Sequence, residues 1–198
     1  MDSLILHNPP TEYLDGNKTD HYEILEQLVE EGKIKAYGAS LDTAADMKLL
    51  MSTTTAQVIE AFFNILHQDT AQAFALAEEK KVGIIAKIPL DSGWLSGKYN
   101  AASTFDGVRN RWSKADIKIR AQLVEEIKSL LQVKDNLTQK AIAFCLSYNA
   151  VSTVIPGNMT IAQLTGNVES IHHPLSKDEV KKLETYYQDR VKPLQLPW

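Results

Sequence analysis

A histidine closes the first apolar run of the chain. Ser3–Leu6 reads as a strand, His7 ends it, and Asn8-Pro9-Pro10 cannot continue it. A neutral imidazole at a strand end can donate one hydrogen bond to a carbonyl oxygen and orient it for attack, or it can simply satisfy local backbone. Ser40, Gln57 and Asn64 form the next group. A hydroxyl or amide in an apolar setting needs partners, and those partners are either an amide-bearing ligand or nearby turns. Lys87 adds a cation at the end of another apolar run, where it binds a ligand or snorkels to water. The stretch IPGNMTIAQLTGNV, residues 155–168, ends a strand and starts a helix within a few residues. The N–H groups at such a helix start favour an anion, so a phosphate site stands beside a plain loop as the reading. Lys98, Arg109 and Arg111 lie in or near a long irregular stretch and could reach an anionic ligand. The adjacent His172 and His173 point different ways, with no carboxylate or cysteine at ligand spacing, so no metal is expected.

The elements that must position these residues alternate regularly. Strands are expected at 3–7, 34–39, 57–63, 82–88 and 151–155. Helices are expected at 22–31, 43–51, 70–81, 115–133, 138–148, 160–170 and 176–188. Thr19-Asp20 offers a cap for the first helix, and Ser176 with Glu179 forms a capping box for the last. Strands separated by helices should be parallel, and continuous apolar strands imply that both faces are covered. A doubly wound sheet and part of a barrel both fit, although no G-x-G-x-x-G follows any strand. In either architecture function collects where strands end: at His7, at 38–40, at Phe63 and Asn64, at 87–92 and at 156–158.

Bulk properties bound the class. The chain has 198 residues, a net charge of −4, 44% hydrophobic and 23% charged residues, which suits one domain spanning 1–198. Mild acidity gives no reason to expect nucleic acid or an anionic membrane as partner. Cys145 is the only cysteine, which excludes an internal disulfide and suits a reducing cytosol. No apolar run approaches the roughly 20 residues of a membrane helix. A cytoplasmic location is expected.

Five segments, taken together, resemble the aldo-keto reductase family. They are DSLILHNP, then LVEEGKIKAYGAS, then QVIEAFFN, then PLDSGWLSGKY, then VIPG followed by QL and Asn167. The resemblance implies an α/β fold, specifically part of a (β/α)8 barrel with about five parallel β/α units. It implies reduction of aldehydes and ketones with NADP(H), or NAD(H), and no metal. It aligns His7 with the histidine that positions the substrate carbonyl. It aligns Ser40 and Gln57 with the groups that hold the nicotinamide carboxamide, and Lys87 with a residue against the nicotinamide. Leu90, Ser92 and Gly93 fall in the loop along the pyrophosphate. Gly157, Asn158, Gln163 and Asn167 fall around the adenosine and its 2′-phosphate.

The departures carry expectations of their own. Leu41 follows Ser40 where the family often has Asn, and Gly157 and Gln163 replace basic residues that grip a 2′-phosphate. The family's catalytic Asp, Tyr and Lys lie on strands one to three, and His7 corresponds to strand four. The resemblance therefore implies a C-terminal, truncated portion of a barrel that is inactive alone; the alternatives are a truncated non-catalytic relative that binds a nucleotide or oligomerises, and an interaction module like the channel subunits of this superfamily. The chain's expected partners are a small carbonyl substrate and either a second copy or a complementing N-terminal segment, because five strands leave two open edges.

Overall fold

The computed structural model describes residues 1–197, apart from the side chains of Val108 and Arg109. The chain divides into two compact units. The first comprises Met1–Phe63, Gln68–Lys87 and Tyr148–Ile155 and contains a five-stranded sheet. Its strands are β1 (Ser3–His7), β2 (Ala36–Leu41), β3 (Val58–Phe62), β4 (Gly83–Lys87) and β5 (Val151–Ile155). Its helices are α1 (His21–Glu30), α2 (Ala44–Thr53) and α3 (Phe74–Lys80).

All four pairings are parallel and the spatial order is β1-β2-β3-β4-β5. A doubly wound sheet reverses its order at a switch point. This sheet never reverses, which is the order of consecutive barrel strands. The barrel alternative is the correct one. Among the described residues β1 and β5 have no further strand partner, so both edges are open.

The two faces of the sheet differ. Tyr37, Ala39, Ile59, Ala61, Ile84 and Ala86 alternate along the central strands, and all are fully buried. The opposite face carries half-buried Ile5 and Val58 toward the strand starts; toward the strand ends come His7, Ser40 and Glu60, level with half-buried Ile85, and then Phe62 beside Lys87. Full cover of both faces was expected from the apolar runs. That expectation fails because the open face is itself apolar over its lower half, so no alternation shows in the sequence.

Strands β1 and β5 have the expected bounds; the inner three begin or end within two residues of them. Thr43 caps α2 by accepting from Asp46 N–H. Asp20 sits at the start of α1 without a side-chain cap bond, contrary to expectation, because its backbone lies outside the extended region a cap uses. The helix expected over 70–81 begins as a 3-10 turn at Asp69–Ala73, where Thr70 donates its hydroxyl to Phe62 C=O at 2.9 Å.

The second unit comprises Asn64–His67, Ile88–Ser147 and the residues from Pro156 on. It holds α4 (Lys114–Leu131), α5 (Leu137–Leu146), α6 (Ile161–Val168) and α7 (Lys177–Tyr186). Capping boxes start α4 at Ser113/Asp116 and α7 at Ser176/Glu179. Lys140 of α5 reaches Glu179 at 2.9 Å and ties α5 to α7. Among the described residues no helix is long and apolar enough to cross a membrane.

Two predictions follow from packing and charge. A Cβ on residue 38 would meet Val58 C=O at 1.6 Å, inside the β2–β3 ladder, so Gly38→Ala should abolish folding; soluble yield and circular dichroism check it. For Glu179, burial pushes the carboxyl pKa up. The bonds from Lys140 and Ser176 outweigh this and bring it down to about 2 from 4.5. The folded-state pKa is depressed, so this contribution is present above 4.5 and is lost as pH falls toward 2. Acid unfolding should show this loss in the wild type and not in Glu179→Gln.

Candidate functional site

The C-terminal ends of β1, β2 and β4 converge on one ammonium group. Lys87 ends β4 and is 8% exposed. Its Nζ donates to Ser40 Oγ at 2.8 Å and to Asn8 Oδ1 at 3.0 Å, and lies 2.7 Å from Asp42 Oδ1. Asn8 Nδ2 in turn donates to Asp42 Oδ2 at 3.2 Å, and Asn8 N–H to Ser40 C=O at 3.1 Å. Asn8 holds φ +42, a left-handed conformation that Asn tolerates well, and this turns the chain away after His7. A buried cation is tolerable only with such oxygen partners around it.

His7 stands in register with Ser40, and Ser40 with Glu60. In-register residues of parallel strands share a face. Glu60 shares that face with Phe62, which is in register with Lys87. The open face therefore presents His7, Ser40, Glu60 and Lys87 at neighbouring strand ends. His7 is exposed. Ser40 is fully buried and its oxygen accepts from Lys87, so its hydroxyl proton remains for an acceptor.

Sequence reasoning missed Glu60; its signal was a charged residue in the middle of the run V-I-E-A-F-F. Gln57 is corrected. It lies just before β3, at the opposite end of the sheet from Ser40, and its parity matches Ile59 and Ala61 on the buried face. Its Oε1 accepts from Tyr37 N–H at 3.0 Å, so the amide closes a strand start. Asn64 is structural as well. Its Oδ1 accepts from Leu66 N–H and His67 N–H, and its Nδ2 donates to Ile88 C=O.

In the second unit, residues 88–97 form a tightly wound loop. Ile88, Asp91 and Ser92 have φ of +56, +47 and +55, and Gly93 has +98. For a β-branched residue such as Ile88 that conformation is a strained outlier. Leu90 C=O accepts from both Gly93 N–H and Leu95 N–H, which folds Leu90, Ser92 and Gly93 together. Trp94, Tyr99, Phe105 and Trp112 pack edge-on beside it, with centroids 4.8 to 5.9 Å apart. Lys98 stacks on Tyr99 and Arg111 on Trp112; the Arg109 side chain lies outside the described residues.

Asn158, Gln163 and Asn167 meet at the start of α6. Asn167 Nδ2 donates to Asn158 Oδ1 at 2.7 Å, and Asn158 Nδ2 donates to Pro156 C=O. Gln163 Oε1 accepts from Met159 N–H at 2.7 Å. These amides are partly committed to holding the turn. Gln163 and Asn167, with Asp135, Asn136 and Gln139, also line a cavity of 330 Å³. Gly157 opens onto space, with nothing within 4 Å of a Cβ placed there.

A match to the aldo/keto reductase family covers residues 1–188. The chain belongs to the aldo/keto reductase family. The match runs from residue 1 and does not assign the chain to a C-terminal portion. An uncharacterized oxidoreductase of Bacillus subtilis, YqkF, is 24% identical over 87% of this chain and 56% of its own length. The glycerol dehydrogenase AKR11B4 of Gluconobacter oxydans superposes with a TM-score of 0.79 at 20% identity, over 100% of this chain and 62% of that one. The holo form of aldo-keto reductase AKR11C1 of Bacillus halodurans gives 0.72 at 22%, over 93% of this chain and 60% of that one. The chain thus spans little more than half the length of these relatives.

The Lys87 network makes a stability prediction. Lys87→Met removes the shared donor and leaves Asn8, Ser40 and Asp42 to repartner; Asp42 is 40% exposed and can hydrate. The loss should be about 1–3 kcal/mol, read from urea midpoints, and Lys87→Arg should recover only part of it.

Proposed function

We propose that this chain supplies the carbonyl-orienting and nicotinamide-binding groups of an NAD(P)H-dependent reductase of aldehydes and ketones. The observation that carries the reading is the convergence of His7, Ser40 and Lys87 at the C-terminal ends of β1, β2 and β4, on one face of the parallel sheet. In barrels, chemistry sits at those ends.

The residues present fit a nicotinamide. Ser40 retains a hydroxyl proton; because the residue is fully buried, a carboxamide oxygen would accept it only with a shift of the strand-end side chains around it. Lys87 holds that hydroxyl in place and keeps a positive charge beneath it. When bound, the nicotinamide supplies the hydride. His7 donates a hydrogen bond to the substrate oxygen and orients the carbonyl. In the second unit, the loop at Leu90, Ser92 and Gly93 would meet the pyrophosphate. Gly157, Asn158, Gln163 and Asn167 would meet the adenosine. No Lys or Arg stands at 157–167, which supports tolerance of NAD(H) beside NADP(H).

A reduced carbonyl also needs a proton donor. The resemblance assigns that role to a Tyr–Lys–Asp set with no counterpart among the matched motifs, so the chain is proposed to be inactive by itself. The open edges of β1 and β5 support association with further parallel β/α units, from a complementing segment or a second copy. Separately, Met159 just before α6 and Ile161, Leu164 and Val168 along it are all at least 50% exposed, which supports the same view of that helix.

The test is carbonyl-dependent NADPH oxidation. The 198-residue chain alone should show none, and activity should appear when the remaining barrel strands of a longer relative are supplied. His7→Ala in the completed protein should lower kcat by about 10²-fold or more. Turnover by the chain alone would overturn the assignment of the missing donor.

A further inference from the structure

Within the second unit, Asp91 sits inside the strained loop and is fully buried, as is Arg120 of α4. The Asp91 carboxylate pairs through Oδ2 with Arg120 Nη1, and its Oδ1 lies 3.3 Å from His67 Nε2. Arg120 Nη2 donates to the C=O of Pro197, near the end of the C-terminal segment. The guanidinium also stacks over Trp112 at 5.3 Å. A single buried cation therefore joins the loop, helix α4 and residues 192–197.

Strained backbone persists only where its surroundings over-determine it. Four residues between 88 and 93 have positive φ, and three of them are not glycine. Backbone bonds from Gly93 and Leu95 to Leu90 fix the turn locally, and Asn64 and Arg111 donate to Ile88 C=O and Ser92 Oγ; among the described residues only Asp91 ties the loop to a distant part of the chain through a buried charge. The Arg120 fork makes two long-range bonds at once, one to the loop and one to the tail. A lysine would present a point charge without that fork.

We propose that Arg120 is a positioning residue that couples docking of the C-terminal segment to the conformation of the 90–93 loop. The coupling rests, for its consequence, on the reading of that loop as the pyrophosphate site. Docked, the segment holds the Asp91–Arg120 pair closed and the loop in its bound form. Released, it frees one arm of Arg120, and the loop relaxes toward ordinary backbone geometry.

The test compares hydrogen exchange and nucleotide binding in four proteins: wild type, Arg120→Gln, Arg120→Lys and a chain ending at Gln195. The truncated chain lacks the Pro197 carbonyl but keeps every residue of α4 and the loop. It and Arg120→Gln should exchange the amides of 88–97 at least tenfold faster, with those of 83–87 unchanged. Arg120→Lys should exchange at an intermediate rate. The affinity for NADP+ should fall at least tenfold in both, while that for adenosine 2′-monophosphate, which lacks the pyrophosphate, should not change. Unchanged exchange at 88–97 in the truncated chain would overturn the coupling, and so would an equal rise across the whole chain. The expected exchange pattern with no NADP+ binding to any of the four would keep the coupling and remove the cofactor reading.

Discussion

The first unit depends on where the Lys87 ammonium is put. It is a cation at 8% exposure, held by oxygens from residues 79 and 47 positions away in sequence and by the Asp42 carboxylate. Three strand ends must be in parallel register before these partners exist together. Once they do, the same contacts turn the chain after His7, fix the Ser40 hydroxyl and leave its proton unspent. Structure and candidate chemistry therefore share one set of hydrogen bonds, and neither survives loss of register.

The sheet explains why that cation can sit there. One face is fully buried and apolar, and provides the core. The other grades from mainly apolar at the strand starts to a mix of His7, Ser40, Glu60 and Lys87 with Ile85 and Phe62 toward the strand ends. A grade of this kind suits a barrel interior, packed at the bottom and functional at the top. The strict order β1 to β5 and the two open edges fit the same architecture. The second unit answers a different demand. Its loop at 88–97 stores strain beside an aromatic cluster, and a buried ion pair holds it, where the first unit uses a parallel ladder of strands.

Much of this was legible in the sequence. Apolar runs ended by His7, Ser40 and Lys87 located the strand ends, because polar residues and Pro or Asn terminate strands for plain physical reasons. The boundaries of β1 and β5 and the Ser176/Glu179 box could be read for the same cause. Gln57 could not be placed correctly. A polar residue in an apolar run announces a need for partners but not which end of the strand it occupies, and here the partner was Tyr37 backbone. Glu60 was passed over although a charge inside a strand is the stronger signal. The Asp91–Arg120 pair had no local signature, because its partners lie 29 residues apart on a loop and a helix face. The family motifs suggested roles that spacing alone left open; they set Gln57 beside Ser40, whereas the register puts Glu60 there.

The most direct measurement is the amide chemical-shift map of the chain titrated with NADP+. Perturbations should saturate together at His7, Asn8, Ser40, Glu60 and Lys87 on the strand ends, with Gln57 and Gly83 at the strand starts unmoved. Saturable binding that leaves the strand-end residues unmoved, or that moves the strand starts in their place, would contradict this expectation.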